Sequence, residues 1–226
     1  MRSSRVGLLV SACLLASVLA SVAPADAADP APQIRPGTIE AQRPAAPSGI
    51  REPYRAEIWI GTDRLREEPL ELQVKEADQT VFVTRAIAST GADGHQAEVR
   101  VALRFNAQLR WHHPATAKAP ETYSVVLDQA VSPRVGAVVN DRTLRMRQLL
   151  VVRGTVRPAK PGRIVRLFAG LRTDPVLLAS ARIAEDGSYR LTRRFLRPGA
   201  RRLFVQVPAS NRNSAGWSSY RFVRVR

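Results

Sequence analysis

The chain predicts an all-β fold of two antiparallel β domains behind an export segment, and three observations carry that reading. Short runs that alternate apolar and polar residues recur from Tyr54 to Val225, the period of half-buried strands. Turn signals rich in Gly, Pro and Asn cut these runs at short intervals, as in a β-sandwich. Beyond the first 27 residues no stretch holds a sustained helical period with caps.

Met1–Ala27 has the layout of a signal peptide. Arg2 and Arg5 form a positive start, Val6–Ala23 is apolar or small throughout, and Ala25-Asp26-Ala27 offers an A-x-A cleavage site. A retained transmembrane anchor competes with cleavage, but the run is near the lower limit for a span and is rich in Ala and Ser. The single cysteine, Cys13, follows Val10-Ser11-Ala12 in a lipobox-like setting, yet apolar or small residues continue well past it. Cleavage after Ala27 leaves a chain with no cysteine, and so no disulfide framework and no thiol chemistry. The expected location is secreted or extracytoplasmic, with cell-surface association open and no transmembrane helix after cleavage.

From Ala28 to Pro53 the chain holds six prolines among Ala, Gln and Arg. With no hydrophobic period to bury, residues 28–52 are expected to be a Pro-rich, semi-rigid linker.

Residues 53–132 are expected to form a β-sandwich-like domain. Tyr54–Gly61, Leu70–Lys75, Thr80–Ala88, Gln96–Phe105, Gln108–His112 and Thr122–Asp128 alternate or concentrate Val, Ile, Phe and Trp. Thr90-Gly91-Ala92-Asp93-Gly94 predicts a hairpin-type turn between two of them. Pro114–Pro120 reads as a longer loop. Glu67, Glu68, Glu71 and Glu76 are expected on the solvated side of a hairpin, and His113, just before a proline, at an exposed loop start.

Residues 133–226 are expected to form a second, basic domain, and the charge map sets it apart. Between 28 and 132, 10 Arg and 2 Lys stand against 5 Asp and 9 Glu, a net of −2. Between 133 and 226, 20 Arg and 1 Lys stand against 3 Asp and 1 Glu, a net of +17. The basic character of the chain therefore belongs to its C-terminal half.

Within that half, turn signals fall at Arg157–Gly162, Glu185–Gly187, Arg197–Gly199 and Asn211–Gly216. Between them, Leu177, Ala179, Ala181 and Ile183 form one inward row. Tyr189, Leu191 and Phe195 form a second, and Leu203, Val205 and Val207 a third. Arg193 breaks the second row. Because burying an arginine is costly, it is expected at a bulge or a sheet edge.

The order of these motifs resembles a known family. Val152-Arg153-Gly154-Thr155-Val156, then Pro158-Ala159-Lys160-Pro161-Gly162-Arg163, is similar to the opening of bacterial Ig-like repeats in exported actinobacterial proteins. The likeness continues through Ala184-Glu185-Asp186-Gly187-Ser188-Tyr189, Arg197-Pro198-Gly199 and Asn213-Ser214-Ala215-Gly216, covering residues 145–225. Aliphatics at Val176-Leu177-Leu178 stand where many such repeats carry a Trp. The resemblance implies a C-terminal Ig-like antiparallel β-sandwich, an extracytoplasmic structural or binding module with no catalytic residues. The N-terminal half resembles no named family.

With the apolar rows inward, Arg166, Arg182, Arg190, Arg194, Arg202 and Arg224 are expected to face outward, with Phe204, Tyr220 and Phe222 among them. Guanidinium groups bind phosphates and carboxylates in bidentate fashion and stack on aromatic rings. This set is the candidate anionic-ligand surface, and it would raise association rates with any polyanion. The chain has only three Lys, so codon composition and protection of sheet edges are competing explanations for the arginines. Export argues against nucleic acid as the physiological partner. An anionic cell-wall polymer or an envelope protein is the expected one.

No catalytic residue, metal or cofactor is expected. The sequence has no G-x-S-x-G elbow, H-E-x-x-H or P-loop. His112 and His113 are adjacent, so on a strand they point to opposite faces and cannot chelate one metal together. The expected function is that of an exported, non-catalytic Ig-like module acting at or near the cell envelope, binding anionic polymers or a protein. The alternative is a carbohydrate-active or hydrolytic secreted protein whose first β domain holds an unrecognised site. A concave cleft including Trp59 or Trp111 with two facing carboxylates would mark that alternative, although both rings read more simply as core.

Overall fold

Alternation along the chain becomes strand after strand, and the described residues contain no helix. The computed structural model describes residues 31–36, 45–93 and 95–226. The expected signal segment, with Cys13, lies outside them. Ala31–Arg226 is one compact unit, and it holds two hydrophobic cores.

The first half runs through β1 (Pro32–Pro36), β2 (Ala46–Pro47), β3 (Arg51–Ile60), β4 (Asp63–Arg64), β5 (Pro69–Glu76) and β6 (Val83–Ser89). It continues with β7 (Ala97–Ala102), β8 (Ala107–His113), β9 (Thr122–Tyr123), β10 (Leu127–Gln129) and β11 (Val131–Ser132). One sheet places β3 between β1 and β7, with β4 against the end of β3; the other has the order β10-β8-β5-β6, with β9 beside β8. Tyr54, Ile58, Leu70, Leu72, Val99, Leu109 and Trp111 fill the space between the sheets. Each such side chain contributes about 1.5–3 kcal/mol by leaving water.

The second half runs through β12 (Arg134–Val135), β13 (Val138–Val139), β14 (Thr143–Leu144), β15 (Leu149–Arg157) and β16 (Ile164–Leu171). Then come β17 (Asp174–Arg182), β18 (Ser188–Arg194), β19 (Gly199–Val207), β20 (Gly216–Trp217) and β21 (Arg221–Val225). Strand β15 pairs with β12, β13 and β18, and the facing sheet has the order β14-β21-β19-β16-β17. Gly154, inside β15, is dictated by packing: a Cβ there would lie 1.9 Å from the Gly136 carbonyl oxygen and 2.5 Å from the Tyr189 hydroxyl. That hydroxyl donates to the same Gly136 carbonyl.

Both halves share one strand order, that of an Ig-like sandwich. In each, the first strand is split. Its first part pairs antiparallel with the second long strand, as β1 with β3 and as β12 and β13 with β15. Its second part runs parallel to the last strand, as β2 with β11 and as β14 with β21.

This corrects the linker expectation for part of residues 28–52. Pro32–Pro36 is the edge strand of the first sandwich, with Ile34 opposite Ile58 and buried. Proline is tolerated there because an edge strand does not need every N–H. The segment Thr90–Asp93 is not a hairpin turn either. It carries the chain from β6 in one sheet to β7 in the other, strands that share no ladder. In the second half, the register shifts between Leu167 and Phe168, so Phe168 faces Leu177 while Leu167 faces Ala179. The bulge turns Leu177 outward and packs Leu178 against the core in its place.

The two sandwiches meet over the loop between β19 and β20. Arg212 lies 2.6 Å from Asp78 Oδ2 and sits over the Phe105 ring at 3.9 Å. Asn213 is fully buried, and its Nδ2 donates to the carbonyls of Arg104 and Val131 at 3.0 and 3.1 Å. The Asn106 amide in turn donates to the Arg212 carbonyl at 2.7 Å. The Asn211–Gly216 turn is thus also a docking element.

Candidate anion-binding surfaces

The nine residues expected on one face divide between the two sheets of the second sandwich. Arg166, Arg202, Phe204, Phe222 and Arg224 share the outer side of the six-strand sheet that β20 completes beside β19, with Tyr220 just before β21. Arg202 stands opposite Phe222. Its guanidinium lies 5.3 Å from the Tyr220 ring and 5.5 Å from the Phe222 ring. Arg182, at the end of β17, donates to the Gly162 carbonyl at 2.9 Å. Arg190 and Arg194 lie on β18, in the opposite sheet.

Phe204 points outward in alternation but is only 1% exposed. It stacks on Phe168 at 5.5 Å and meets Trp217 and Tyr220 edge-on or tilted, each at 5.6 Å. A small apolar layer therefore covers this part of the sheet, and Phe204 is a support for the surface instead of a contact. Arg172 closes the layer, lying 5.5 Å from Trp217 and 5.3 Å from Tyr220 while donating to the Ser218 carbonyl.

The other sheet carries arginines that the outward set left out. Leu150, Val152 and Val156 of β15 face the core, so Arg153, Thr155 and Arg157 share its outer side. Arg153 stands directly opposite Arg190, and Arg157 directly opposite Arg134. Like charges so placed repel and destabilise a sheet. The parity of β15 was readable from the sequence, but the partner across the ladder was not.

None of the arginines in 133–226 forms an ion pair within the second sandwich among the described residues; Arg212 alone pairs, with Asp78 of the first. The first sandwich instead neutralises itself, as in Arg55–Glu98 at 2.7 Å and Arg64–Glu57 at 3.2 Å. At the far end of the second sandwich, Arg193, Arg194, Arg197 and Arg201 line an open groove of about 660 Å³. Arg193 sits on edge strand β18, exposed, and donates to the Leu178 carbonyl at 3.1 Å.

The acidic residues of the first sandwich are bound up with its histidines. His112 and His113 point to opposite sides of β8. His112 lies between Glu71 and Glu121, at 3.0 and 2.9 Å, and stacks on Tyr123. The Glu71 carboxyl is held below its ordinary range, first by the hydrogen bond from His112. His113 is fully buried and donates from Nε2 to Glu68 Oε2 at 2.8 Å. Thr116 Oγ1 donates to the same oxygen at 2.8 Å, and Lys118 Nζ lies 3.2 Å from Glu68 Oε1. Glu68 is 3% exposed and Glu76 6%, so neither lies on a solvated hairpin side and His113 does not begin an exposed loop. The Pro114–Pro120 loop folds back over Glu68 and His113.

Trp111 is buried in the core, and Trp59 lies under the Arg35 and Arg64 guanidinium groups at 4.7 and 4.9 Å. Neither ring is free to line a cleft. Among the described residues, no three His, Cys, Asp or Glu gather to hold a metal ion, and no helix is long and apolar enough to cross a membrane.

No family model matches the chain, and no curated protein does. Among solved structures it is similar to a tetra-tandem repeat from the extending region of a large adhesion protein, at 15% identity and a TM-score of 0.35. That match covers 87% of this chain, which spans 49% of the repeat structure. It is also similar to the D0-D1 domain of intimin, at 10% identity and a TM-score of 0.30, covering 79% of this chain and 94% of that one. The human OSCAR ligand-binding domain matches at 13% identity and a TM-score of 0.30, covering 86% and 99%. Likenesses of this degree do not bear on what the chain binds.

Proposed function

We propose that this protein is an exported, non-catalytic pair of Ig-like sandwiches that binds an anionic polymer at or near the cell envelope, through the arginine-rich faces of its second sandwich. The second sandwich is of the kind carried by exported actinobacterial proteins. Export rests on the composition of Met1–Ala27.

One observation carries the binding role. Arg153 and Arg190 face each other across a ladder with no carboxylate paired to either among the described residues. A surface selected for solubility alone would intersperse acids among these positions, since opposite charges there stabilise and like charges do not. An anionic chain laid along the face removes the repulsion and makes bidentate bonds to the guanidinium groups. The Arg202–Tyr220–Phe222 cluster on the opposite face offers a second, stacking surface of the same charge.

Co-sedimentation of the protein with purified cell wall tests the proposal. Association at low salt that weakens at high salt supports it, because exposed charges are screened beyond about 10 Å at 0.1 M salt. A wall fraction that leaves the protein in solution at low salt overturns it.

A further inference from the structure

A second arginine cluster lies apart from the Arg153–Arg190 pair, in a groove of about 360 Å³ where the two sandwiches meet. Arg104 reaches it from the turn between β7 and β8, and Arg134 and Arg157 from β12 and β15; Ser48 and Asp186 also line it. Its volume falls in the range of small-ligand sites. We propose that this groove binds a phosphate group, held jointly by Arg104, Arg134 and Arg157.

Three features point that way. Arg134 and Arg157 are direct cross-strand partners, an arrangement that is repulsive unless an anion bridges it. None of the three guanidinium groups has a hydrogen-bond or ion-pair partner among the described residues, so their donors remain available. The backbone beneath Arg104 is fixed from both sides. Its carbonyl accepts from Ser48 Oγ at 3.0 Å and from Asn213 Nδ2, in the second sandwich, also at 3.0 Å. A site whose supports are held in this way loses little freedom when it binds.

The one acid in the groove, Asp186, opposes an anion and is outnumbered by the three arginines. Its Oδ1 accepts from the Ser188 amide at 2.8 Å, capping the turn before β18. Three positive groups then face one partly satisfied negative one. Inorganic phosphate has four oxygens to share among three guanidinium forks, and a phosphodiester presents two non-bridging ones in the tetrahedral geometry that bidentate arginine contacts fit. Because the donors come from both sandwiches, a bound phosphate would also tie them together.

The phosphate can be free or borne on a polymer, and two titrations separate these sources. Inorganic phosphate and poly(glycerol phosphate) are each titrated into the protein by calorimetry, with the Arg104→Gln, Arg157→Gln double variant alongside. Saturable binding of either probe that weakens about tenfold or more in the double variant is expected, from the loss of charge-assisted hydrogen bonds. Binding of phosphate itself identifies a free-ligand site, and binding of the polymer alone identifies a polymer-borne group. Arg142→Gln, an exposed single-charge change outside the groove lining, should leave affinity within about twofold, as expected for long-range charge alone. All three changed residues are exposed, so the fold is retained, and thermal denaturation with and without phosphate gives a second reading, since a ligand of the native state raises Tm. No saturable binding of either probe, or equal binding by the double variant, overturns the site. Polymer binding lost in Arg190→Glu and unchanged in the groove double variant assigns the polymer to the face proposed above, and the groove then stands only if inorganic phosphate binds the parent and not the double variant.

Discussion

Arg153 and Arg190 occupy directly opposite positions on β15 and β18. Replacing Arg190 by Glu turns that repulsion into attraction. The variant is expected to gain about 0.5–1 kcal/mol of stability, the scale of a cross-strand charge pair, and to bind an anionic polymer several-fold more weakly. Urea denaturation and a polymer titration read the two effects. A variant that gains stability but binds as well as the parent would remove this face from the binding surface.

The buried pair of His113 and Glu68 is expected to hold the first sandwich together. Burial alone would push the Glu68 carboxyl up, but hydrogen bonds from His113, Thr116 and Lys118 outweigh it and keep the carboxyl below its ordinary range. Glu68→Ala leaves the buried His113 ring N–H without its acceptor and should cost about 1–3 kcal/mol. For a carboxyl with a lowered folded value, the stabilisation is present above the unfolded value of about 4.3 and is lost as pH falls through the folded one. Stability of the parent should therefore drop below about pH 4, and the variant's drop should be shallower. Equal acid sensitivity in both proteins would show that the pair is not responsible.

Lys160 is a charged group that costs stability instead of supplying it. Burial, and then the nearby Arg163 and Arg212, lower its ammonium from 10.5 to about 8. The unfolded chain binds more protons between those values, so stability should rise with pH across that window. The cost is fully present below pH 8. Lys160→Gln should be more stable than the parent at neutral pH and should lack the rise. Thermal melts of both proteins between pH 7 and 10, bracketing most of that window, measure the difference.

Asn213→Ala removes the two donors that satisfy the Arg104 and Val131 carbonyls at the junction. An unsatisfied buried group costs about 1–3 kcal/mol. The expected result is that loss together with looser packing of the sandwiches, visible as faster hydrogen exchange at Asn106 and Ser214. Unchanged exchange at those amides would show that the junction does not depend on this side chain.

Much of the second sandwich was legible because its core rows alternate cleanly, as in Leu203, Val205 and Val207. What escaped the sequence did so for physical reasons. Pro32–Pro36 has no hydrophobic period, since an edge strand can bury a residue such as Ile34 while its neighbours need not be apolar. Leu177 and Leu178 exchanged places because a bulge shifts parity by one residue, and nothing in the local pattern marks it. Phe204 lies under a layer of Phe168, Trp217 and Tyr220 that comes from three other segments, so its burial is not written in its own strand. Glu68 reads as a surface acid until the Pro114–Pro120 loop brings Thr116 and Lys118 over it. The basic half was visible from composition alone, whereas the Arg134–Arg157 and Arg153–Arg190 pairs required the ladder register.

The central claim is that these unpaired arginines serve an anionic polymer. Its most direct test is the affinity of the protein for poly(glycerol phosphate) as salt rises, compared with an Arg153→Glu, Arg190→Glu variant. The account predicts tight binding at low salt, a steep fall as salt increases, and weaker binding with a shallower fall in the variant. Polymer binding that is absent at low salt, or that is indifferent both to salt and to the two charge reversals, would contradict it.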